Sequence, residues 1–343
     1  MDCSIVVISR NRPRHLERLF GYFAEEGLDA PIFLGDASDP DATEAVAAVC
    51  SRFDGRLDIR RTNYAAGAPP VNRLRREFDK VETGAVIWVG DDDFVSPRIL
   101  REASDHLARL PACATVTGRA VTFSVAGDGA GGKVNGLGDY PQKKYPQTLA
   151  SDRLIAQAKD GVALTYSLRR TQVARRLLGE IDDLALSDDA LGYYLFELLD
   201  GMLTVIAGQV CLCEEVMMAR QVHAVSTSAE GRKERDGLAL LASPAWPESF
   251  ASAQGLVAGR LTEMQQGIDA GKAREIASTA LWIRVRAMID KELARRLGTA
   301  KSASVGKRAA AALLRLRSGR FPLARSGELA RMLSAVEQFS AGG

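Results

Sequence analysis

The sequence is poor in cysteine and in long apolar runs, and each scarcity excludes a class of protein. Five cysteines in 343 residues are too few for a disulfide-dense scaffold. Their odd number, and a start without the basic leader and apolar core of a secretory signal, predict reduced thiols in a cytoplasm. The longest apolar stretch, residues 202–213, is interrupted by Gly208 and Gln209 and falls short of the ~20 residues that a membrane-spanning helix needs.

Net charge is also nearly absent, at +2, but it is unevenly distributed. Residues 241–343 carry 16 basic and 8 acidic side chains, whereas residues 1–240 carry 29 basic and 35 acidic ones. Hydrophobic residues make up 46% of the chain, which is enough to bury a core and argues against disorder. We therefore predict a catalytic domain in residues 1–235 and a basic, helical C-terminal extension in residues 236–343.

What is present is an alternation of short strands and helices in the first 110 positions. Apolar or β-branched runs predict strands at residues 4–8, 32–34, 57–59 and 85–89, with helical spacing of apolar residues between them. This pattern predicts an α/β fold with a mostly parallel sheet and helices on both faces. Farther along, the run at residues 203–213 predicts a further buried strand.

Polar residues follow three of these strands, and ligands of such sheets bind beyond the carboxyl ends of the strands. The clusters are Ser9, Arg10, Asn11 and Arg12; Asp36 with its neighbours; and Asp91, Asp92 and Asp93. Asn72 and Arg73 begin a helix that faces the same crevice, and a helix N-terminus beside a guanidinium suits phosphate. The alternative for Arg73 is a solvated surface charge.

Three consecutive carboxylates repel one another, so we expect a compensating cation beside residues 91–93. Carboxylate oxygens are hard ligands, which favours Mg²⁺ or Mn²⁺ bridging a diphosphate. His223 is a candidate nitrogen ligand for the same cation. The alternative is a solvated turn before a helix that starts near Pro97.

Two other acidic positions have a functional and a structural interpretation. Ser187, Asp188 and Asp189 open a predicted helix, where a carboxylate is either a general base for an acceptor hydroxyl or an N-cap. Asp36 is either a hydrogen-bond acceptor for a nucleobase imide or a turn residue.

In their order along the chain these clusters resemble the motifs of GT-A fold glycosyltransferases, most closely of the family 2 type. Residues 4–13 resemble the opening strand with its Thr/Ser-x-Asn-Arg-Pro ending, and residues 33–38 resemble the second strand. Residues 87–97 look like the Asp-x-Asp segment with its trailing proline. Asp188 and Asp189 stand where the family has its Glu-Asp motif, and His223 stands where many members carry a metal-binding histidine.

The resemblance implies a cytoplasmic, inverting glycosyltransferase of the hexosyltransferase type, acting in bacterial surface glycan or glycoconjugate synthesis. The donor would be a nucleoside-diphosphate sugar, with a UDP-sugar favoured, and the acceptor a glycan, a lipid-linked molecule or a protein. By residue it implies the following roles: Ser9, Arg10 and Asn11 in the nucleotide pocket; Asp36 on the base; Asn72 and Arg73 near the nucleotide; Asp91 on the ribose; Asp92 or Asp93, with His223, on Mn²⁺ or Mg²⁺; and Asp189 or Asp188 as the base. Because Asp188 replaces the usual Glu, the choice between these two stays open.

Two other functions stay open. A haloacid-dehalogenase-type phosphatase would use Asp91 and Asp93, although its motif normally ends the first strand of its core. A catalytically inactive GT-A scaffold would bind nucleotide without transfer.

The basic tail, residues 301–331, lacks stacking aromatics and any recognised nucleic-acid motif, so we expect no nucleic-acid partner. Its interleaved basic and apolar residues fit a solvated helical face or a homodimer surface. They also fit peripheral docking on the acidic inner face of a membrane.

Overall fold

The computed structural model describes residues 1–126, 129–187, 189–222, 237–297 and 327–341. In chain order the strands are β1 (Cys3–Ser9), β2 (Ile32–Asp36), β3 (Ile59–Asn63), β4 (Ala85–Gly90), β5 (Phe94–Val95), β6 (Cys113–Val125), β7 (Val134–Tyr140), β8 (Leu168–Arg170) and β9 (Gln209–Gln221). The helices are α1 (Pro13–Glu25), α2 (Pro40–Arg52), α3 (Pro70–Asp79), α4 (Pro97–Arg109), α5 (Ala150–Asp160), α6 (Thr171–Asp182), α7 (Ala190–Ala207), α8 (Gly237–Leu241), α9 (Trp246–Met264), α10 (Ala270–Arg296) and α11 (Gly327–Ala341).

The strands form one sheet in the order β3-β2-β1-β4-β8-β6-β9-β5, and β7 pairs with residues 120–125 of β6 outside this order. Neighbours from β3 to β4 run parallel, as do β6 and β9, while β8, β5 and β7 pair antiparallel. The four strands predicted in the first 110 residues are therefore confirmed. Because β1, β2 and β4 are parallel neighbours, their carboxyl ends meet at one edge of the sheet.

Apolar side chains alternate along the strands and feed a core on each face of the sheet. Val6 and Val86 pack with α5, α6, α7, α9 and α10, whereas Ile5 and Ile87 pack with α1, α2, α4 and α11. This period-two alternation is what a strand buried on both faces requires. Helices from both sides of the predicted boundary at residue 235 thus share these cores, and the division into two domains stays a prediction.

The predicted strand at residues 203–213 is wrong in its first half, because α7 continues to Ala207 and β9 starts only at Gln209. The buried guanidinium of Arg153 donates to the carbonyl oxygens of Val205, at 2.6 Å, and Ile206, at 3.1 Å, and so satisfies the helix end. At Gly208 a Cβ would lie 2.8 Å from that of Ala114, so a side chain does not fit there. By length and composition α7 would also pass as a membrane span, but most of it is buried inside the protein, as in a core helix.

The expectation that all cysteines are reduced is not met, since Cys113 and Cys211 form a disulfide. They lie on the adjacent parallel strands β6 and β9 with Cα atoms 6.2 Å apart, a separation that a disulfide spans. Within the described residues Cys3, Cys50 and Cys213 are free thiols.

The last helix, α11, packs against the sheet and its helices, and the buried carboxylate of Glu328 makes several of its contacts. Glu328 accepts hydrogen bonds from Ser96 and from Arg98 Nε, the latter at 2.7 Å, and also pairs with Arg331. Leu329, Met332 and Val336 are buried beside it in the core that contains α1. The helix is therefore held by an apolar stripe and by ion pairs, of which the pair of Glu328 with Arg98 is the more buried and that of Arg331 with Glu26 is a second.

We predict that α11 undocks in acid. Burial acts to raise the pKa of Glu328, but hydrogen bonds from Arg98, Ser96 and Arg331 outweigh it and hold this pKa below its ordinary value of 4.5. The stabilisation is therefore present above that value and is lost as the pH falls through the lower, folded-state pKa. The protection factors of residues 327–341, which correct for the slower intrinsic amide exchange in acid, should fall between pH 5 and pH 3 in the wild type. Glu328→Gln should exchange faster at neutral pH and show a flatter pH profile; an unchanged profile would contradict this role of Glu328.

Candidate functional site

The carboxyl ends of β1, β2 and β4 bring the predicted polar clusters together. Ser9 lies in register with Asp36 on β2, and Ile8 lies in register with Gly90 on β4. Ser9 Oγ donates a 2.7 Å hydrogen bond to Asp91 Oδ2. The first and third clusters of the sequence therefore meet in one crevice, as the topology predicts.

The three aspartates are neutralised by arginines from two different elements. Arg12 Nη1 donates to Asp91 Oδ1 and to Asp92 Oδ2, both at 2.9 Å. Arg220, at the end of β9, lies with Nε 3.4 Å from Asp93 Oδ2, and the backbone N–H of Gln221 donates to Asp93 Oδ1 at 2.9 Å. The compensating positive charge in the described residues is therefore guanidinium.

Burial makes two of these carboxyl groups hard to ionise. Asp91 and Asp93 are 5% and 2% exposed. Burial, together with the charge of Asp92, raises the pKa of Asp91 to about 6 and that of Asp93 to about 7, against the opposing effects of Arg12 and Arg220. The guanidinium groups are what permits three carboxylates at this edge of the sheet.

The carboxylate oxygens of residues 91–93 are the kind of ligand that a divalent cation prefers, but most of them are already bonded to the chain. Both carboxylate oxygens of Asp91 and both of Asp93 already accept hydrogen bonds or ion pairs from the chain. The described residues contain no group of three or more His, Cys, Asp or Glu side chains that could hold a metal ion. His223 lies outside them, so the ligand set Asp92, Asp93 and His223 stays a prediction.

Arg220 occupies an aromatic slot above Asp93. Its Cζ lies 4.8 Å from the ring centroid of Tyr140 and 4.3 Å from that of Tyr166, and Nη2 donates to Tyr166 Oη at 3.2 Å. Trp88 stacks behind Tyr166 with the ring centroids 5.3 Å apart. Sequence reasoning missed this residue, because a single arginine at a strand end carries no signal until β9 is placed against β5 and β6.

Arg18 on α1 fixes the loop beside the aspartates, and it too was missed. Its guanidinium is buried and donates to the carbonyl oxygens of Asp92, at 2.9 Å, and Ala130, at 3.0 Å, while Cζ lies 4.9 Å from the ring of Phe94. Burial lowers its pKa to about 10, and the neighbouring acidic charges oppose this shift. Sequence reasoning missed Arg18 because it lies on the inner face of α1 beside Leu16 and Leu19, and that spacing predicts only core packing.

Asp36 is buried, and both oxygens of its carboxylate accept hydrogen bonds from other residues of the protein. Oδ1 accepts from the backbone N–H of Ser38 at 3.0 Å and from its Oγ at 2.5 Å, and Oδ2 accepts from Arg61 Nη2 at 2.7 Å. The turn interpretation is therefore confirmed, and contact with a nucleobase stays a prediction.

The loop after β1 is pinned to the start of α2. Asn11 has φ of +56°, in the left-handed region that asparagine tolerates. Its side chain exchanges two hydrogen bonds with Asp39, and its backbone N–H donates to Ser38 Oγ at 2.8 Å. Arg10 is half exposed, with Nη2 3.6 Å from Asp39 Oδ1, so three residues of this loop and of the start of α2 form one polar cluster.

Arg73 is buried, which rules out the solvated surface charge. Nη1 donates to the carbonyl oxygens of Ser9, at 2.7 Å, and Gly35, at 3.0 Å, and Nε donates to that of Ala68 at 3.0 Å. Burial lowers its pKa. Arg73 thus joins the ends of β1 and β2 and shapes the crevice, while its neighbour Asn72 is exposed.

Asp189 is the N-cap of α7, so the capping interpretation is confirmed. Oδ1 accepts from Ser187 Oγ at 2.6 Å and from the backbone N–H of Gly192 at 2.9 Å. Burial acts to raise its pKa, but these hydrogen bonds outweigh it and hold the pKa below its ordinary range, so the carboxylate is ionised at neutral pH. Tyr193, one turn into α7, interacts electrostatically with Arg73, and a position of Asp189 beside the crevice stays a prediction. Asp188 lies outside the described residues.

We predict that Gly192→Ala lowers turnover, as expected for a general base at Asp189. A Cβ at this position would lie 1.7 Å from the carbonyl oxygen of Ser187, so the turn that aims Asp189 must move. The loss of the N-cap also lowers the melting temperature, and the better helix preference of alanine offsets only about 1 kcal/mol of that cost. The check is turnover against thermal stability, with Gly179→Ala in α6, where a Cβ meets nothing within 4 Å, as the control. Equal turnover of both variants would contradict the role of the turn.

No protein-family model and no curated protein matches the sequence. Among solved structures the chain is similar to TarS of Staphylococcus aureus, with 13% identity and a TM-score of 0.51 over 82% of this chain. It spans 43% of the length of that TarS chain. The structure of TarS residues 1–349 in complex with UDP-GlcNAc matches over 87% of this chain and 92% of its own, with 12% identity and a TM-score of 0.49. The likeness to TarS shows the fold, and the predicted α/β, GT-A class with a C-terminal helical region is confirmed.

Proposed function

We propose that the protein is a glycosyltransferase that moves a sugar from a nucleoside-diphosphate sugar to an acceptor hydroxyl with inversion. The observation that carries the proposal is the position of the aspartate triplet. Asp91 follows β4 and accepts a hydrogen bond from Ser9 at the end of β1, and Ser9 lies in register with Asp36 at the end of β2. In a GT-A fold this edge is where the resemblance places the nucleotide and the sugar diphosphate.

The roles of the residues follow from their surroundings. The ends of β1 and β2 are held by buried hydrogen bonds of Arg73 and Asp36, so a nucleotide would bind at an edge of the sheet that is already ordered. Asp189, ionised and aimed by the first turn of α7, would take the proton of the acceptor hydroxyl as that oxygen attacks the anomeric carbon. The sugar–phosphate bond would break on the opposite side, and the diphosphate would leave beside the guanidinium groups.

The fold also weighs against the phosphatase. In that family the nucleophilic aspartate ends the first strand of the core, whereas Asp91 here follows the fourth strand of the sheet in chain order. Both oxygens of Asp91 are bonded, by Ser9 and Arg12, in a way that does not leave a nucleophile open to a phosphate ester.

The test is a binding screen of UDP, GDP, dTDP and CMP, each in EDTA and in Mn²⁺, followed by calorimetry. We expect a nucleoside diphosphate, UDP first, to raise the melting temperature, because a ligand at 100 times its Kd adds about 2.7 kcal/mol of stability. A protein that responds to none of the four nucleotides would overturn the proposal. The same screen tests the predicted cation. Tighter UDP binding in Mn²⁺ than in EDTA supports a bound cation, and equal binding in the two buffers contradicts it.

The acceptor and location extend this proposal. We propose a hydroxyl of a glycan, a lipid-linked molecule or a protein as acceptor, and peripheral docking at the inner membrane face through the basic tail. Residues 301–326 lie outside the described residues, whereas Arg331, the last of the tail's basic residues, pairs with Glu26 and Glu328. Sedimentation with anionic vesicles, compared with neutral ones, tests the docking.

A further inference from the structure

We propose that Arg220 binds the diphosphate of the donor, as a guanidinium held ready in its aromatic slot. The proposal rests on the function proposed above and assigns its diphosphate position to a side chain at the end of β9. No role for this arginine follows from the sequence alone.

The first step is the placement of charge. A nucleoside diphosphate brings two or more negative charges to an edge that already carries Asp91, Asp92 and Asp93, so it needs cationic partners there. The guanidinium groups of Arg12 and Arg220 supply them in the described residues. Of the two, Arg12 is committed to two carboxylates at 2.9 Å, whereas Arg220 meets Asp93 through Nε alone, at 3.4 Å.

The second step is how Arg220 is held. The guanidinium lies against Tyr140 and Tyr166, with Cζ 4.8 and 4.3 Å from the ring centroids. These ring contacts and the hydrogen bond from Nη2 to Tyr166 Oη fix the guanidinium, whose N–H groups are of the kind that match phosphate oxygens in a fork. The side chain is 25% exposed, so one edge is open to a ligand.

The third step is that the slot itself is rigid. Tyr166 also contacts Trp88 of β4, with ring centroids 5.3 Å apart, and its hydroxyl accepts from Arg220 Nη2. The turn that carries Tyr166 is fixed by the buried pair Arg169–Asp200. An arginine whose rotamer is set before binding loses little entropy when the phosphate arrives.

The competing interpretation is that Arg220 is only the counter-ion of Asp93. The two interpretations differ in how the affinity of a ligand for the Arg220 variant depends on its number of phosphate groups. A counter-ion maintains the shape of the pocket, so its loss would weaken UDP, UMP and uridine alike. A diphosphate ligand would weaken UDP far more than UMP and would leave uridine unaffected.

The experiment is calorimetry of UDP, UMP and uridine with the full-length protein, in EDTA and in Mn²⁺, for wild type, Arg220→Met and Arg220→Lys. The matched control is Arg119→Met, an arginine on β6 that is half exposed and lies 3.9 Å from Glu214, away from the aspartates. We expect Arg220→Met to weaken UDP by about 10- to 100-fold and UMP by less than about 3-fold, as for the loss of a charge-assisted, two-pronged hydrogen bond. Arg220→Lys, which keeps charge but loses the fork, should lie between, and Arg119→Met should match wild type.

The outcomes separate the two proposals. If wild type binds none of the three ligands, the proposed function fails at that point. If wild type binds UDP and Arg220→Met binds it equally well in both buffers, or weakens all three ligands by the same factor, the role of Arg220 is overturned. If Arg220→Met does not fold, Arg220→Lys and Tyr166→Leu carry the test, and a loss confined to UDP in either one supports the proposal.

Discussion

Asp189→Asn is expected to reduce sugar transfer by about 10²- to 10⁴-fold, the usual contribution of a general base. Asparagine keeps an oxygen where Oδ1 accepts from Ser187 and from the N–H of Gly192, so the N-cap and the first turn of α7 are retained. What the change removes is the negative charge that takes the acceptor's proton. UDP affinity should stay within about 2-fold of wild type, because no phosphate contact is lost.

The matched variant is Asp188→Asn, one position earlier. The sequence leaves the base open between the two residues, and the structure describes only Asp189, as an ionised N-cap with a lowered pKa. Initial rates with saturating UDP-sugar and acceptor, measured beside UDP affinity, separate loss of chemistry from loss of binding. Transfer retained in Asp189→Asn but lost in Asp188→Asn would move the base to Asp188. Full transfer in both variants would mean that neither residue is the base. No transfer by the wild type, together with binding of UDP, would favour the inactive scaffold.

The part of the site that sequence could predict is the part built from strand ends. Apolar runs give β1, β2 and β4, and the rule that parallel strands end at one edge then brings Ser9 and Asp91 within hydrogen-bond distance. Proline in the first turn marks the starts of α1 and α4 in the same way. These are short-range signals, set by hydrophobic spacing and by local backbone chemistry.

The part that sequence could not predict depends on long-range contacts. Arg220 meets Asp93 only because β9 pairs antiparallel with β5 across 127 positions of chain. The end of α7 also depends on a residue that is distant in the sequence. Residues 203–207 have a composition that suits a strand, and Arg153, more than fifty positions earlier, settles them as helix by bonding the carbonyl oxygens of Val205 and Ile206. The arginines beside the aspartates are a third case, because Arg220 lies 127 positions away from Asp93 in the chain and nothing in the triplet itself indicates it. A divalent cation at the same place stays a prediction.

Asp200→Ala is expected to cost about 3 to 5 kcal/mol of unfolding free energy, the usual cost of breaking a buried ion pair on one side. Arg169 donates to Asp200 through Nη1 at 2.6 Å and Nη2 at 2.7 Å, and Thr165 Oγ1 donates at 3.0 Å. The two side chains are 5% and 1% exposed, so the truncation strands a guanidinium away from water. Because Nη2 also holds the carbonyl of Leu164, the turn that positions Tyr166 should loosen as well.

The measurement is urea denaturation of Asp200→Ala, Asp200→Asn and the double variant Arg169→Met/Asp200→Leu. The double variant should recover most of the loss, because it removes the stranded charge and leaves an apolar pair of similar volume. Lys272→Ala is the control: its partner Glu275 is 67% exposed, and we expect a change below about 0.5 kcal/mol for such a surface pair. A cost below about 1 kcal/mol for Asp200→Ala would mean that water reaches Arg169. The support of the Tyr166 turn would then have to come from Trp88 alone, and the aromatic slot of Arg220 would be softer than the buried ion pair implies.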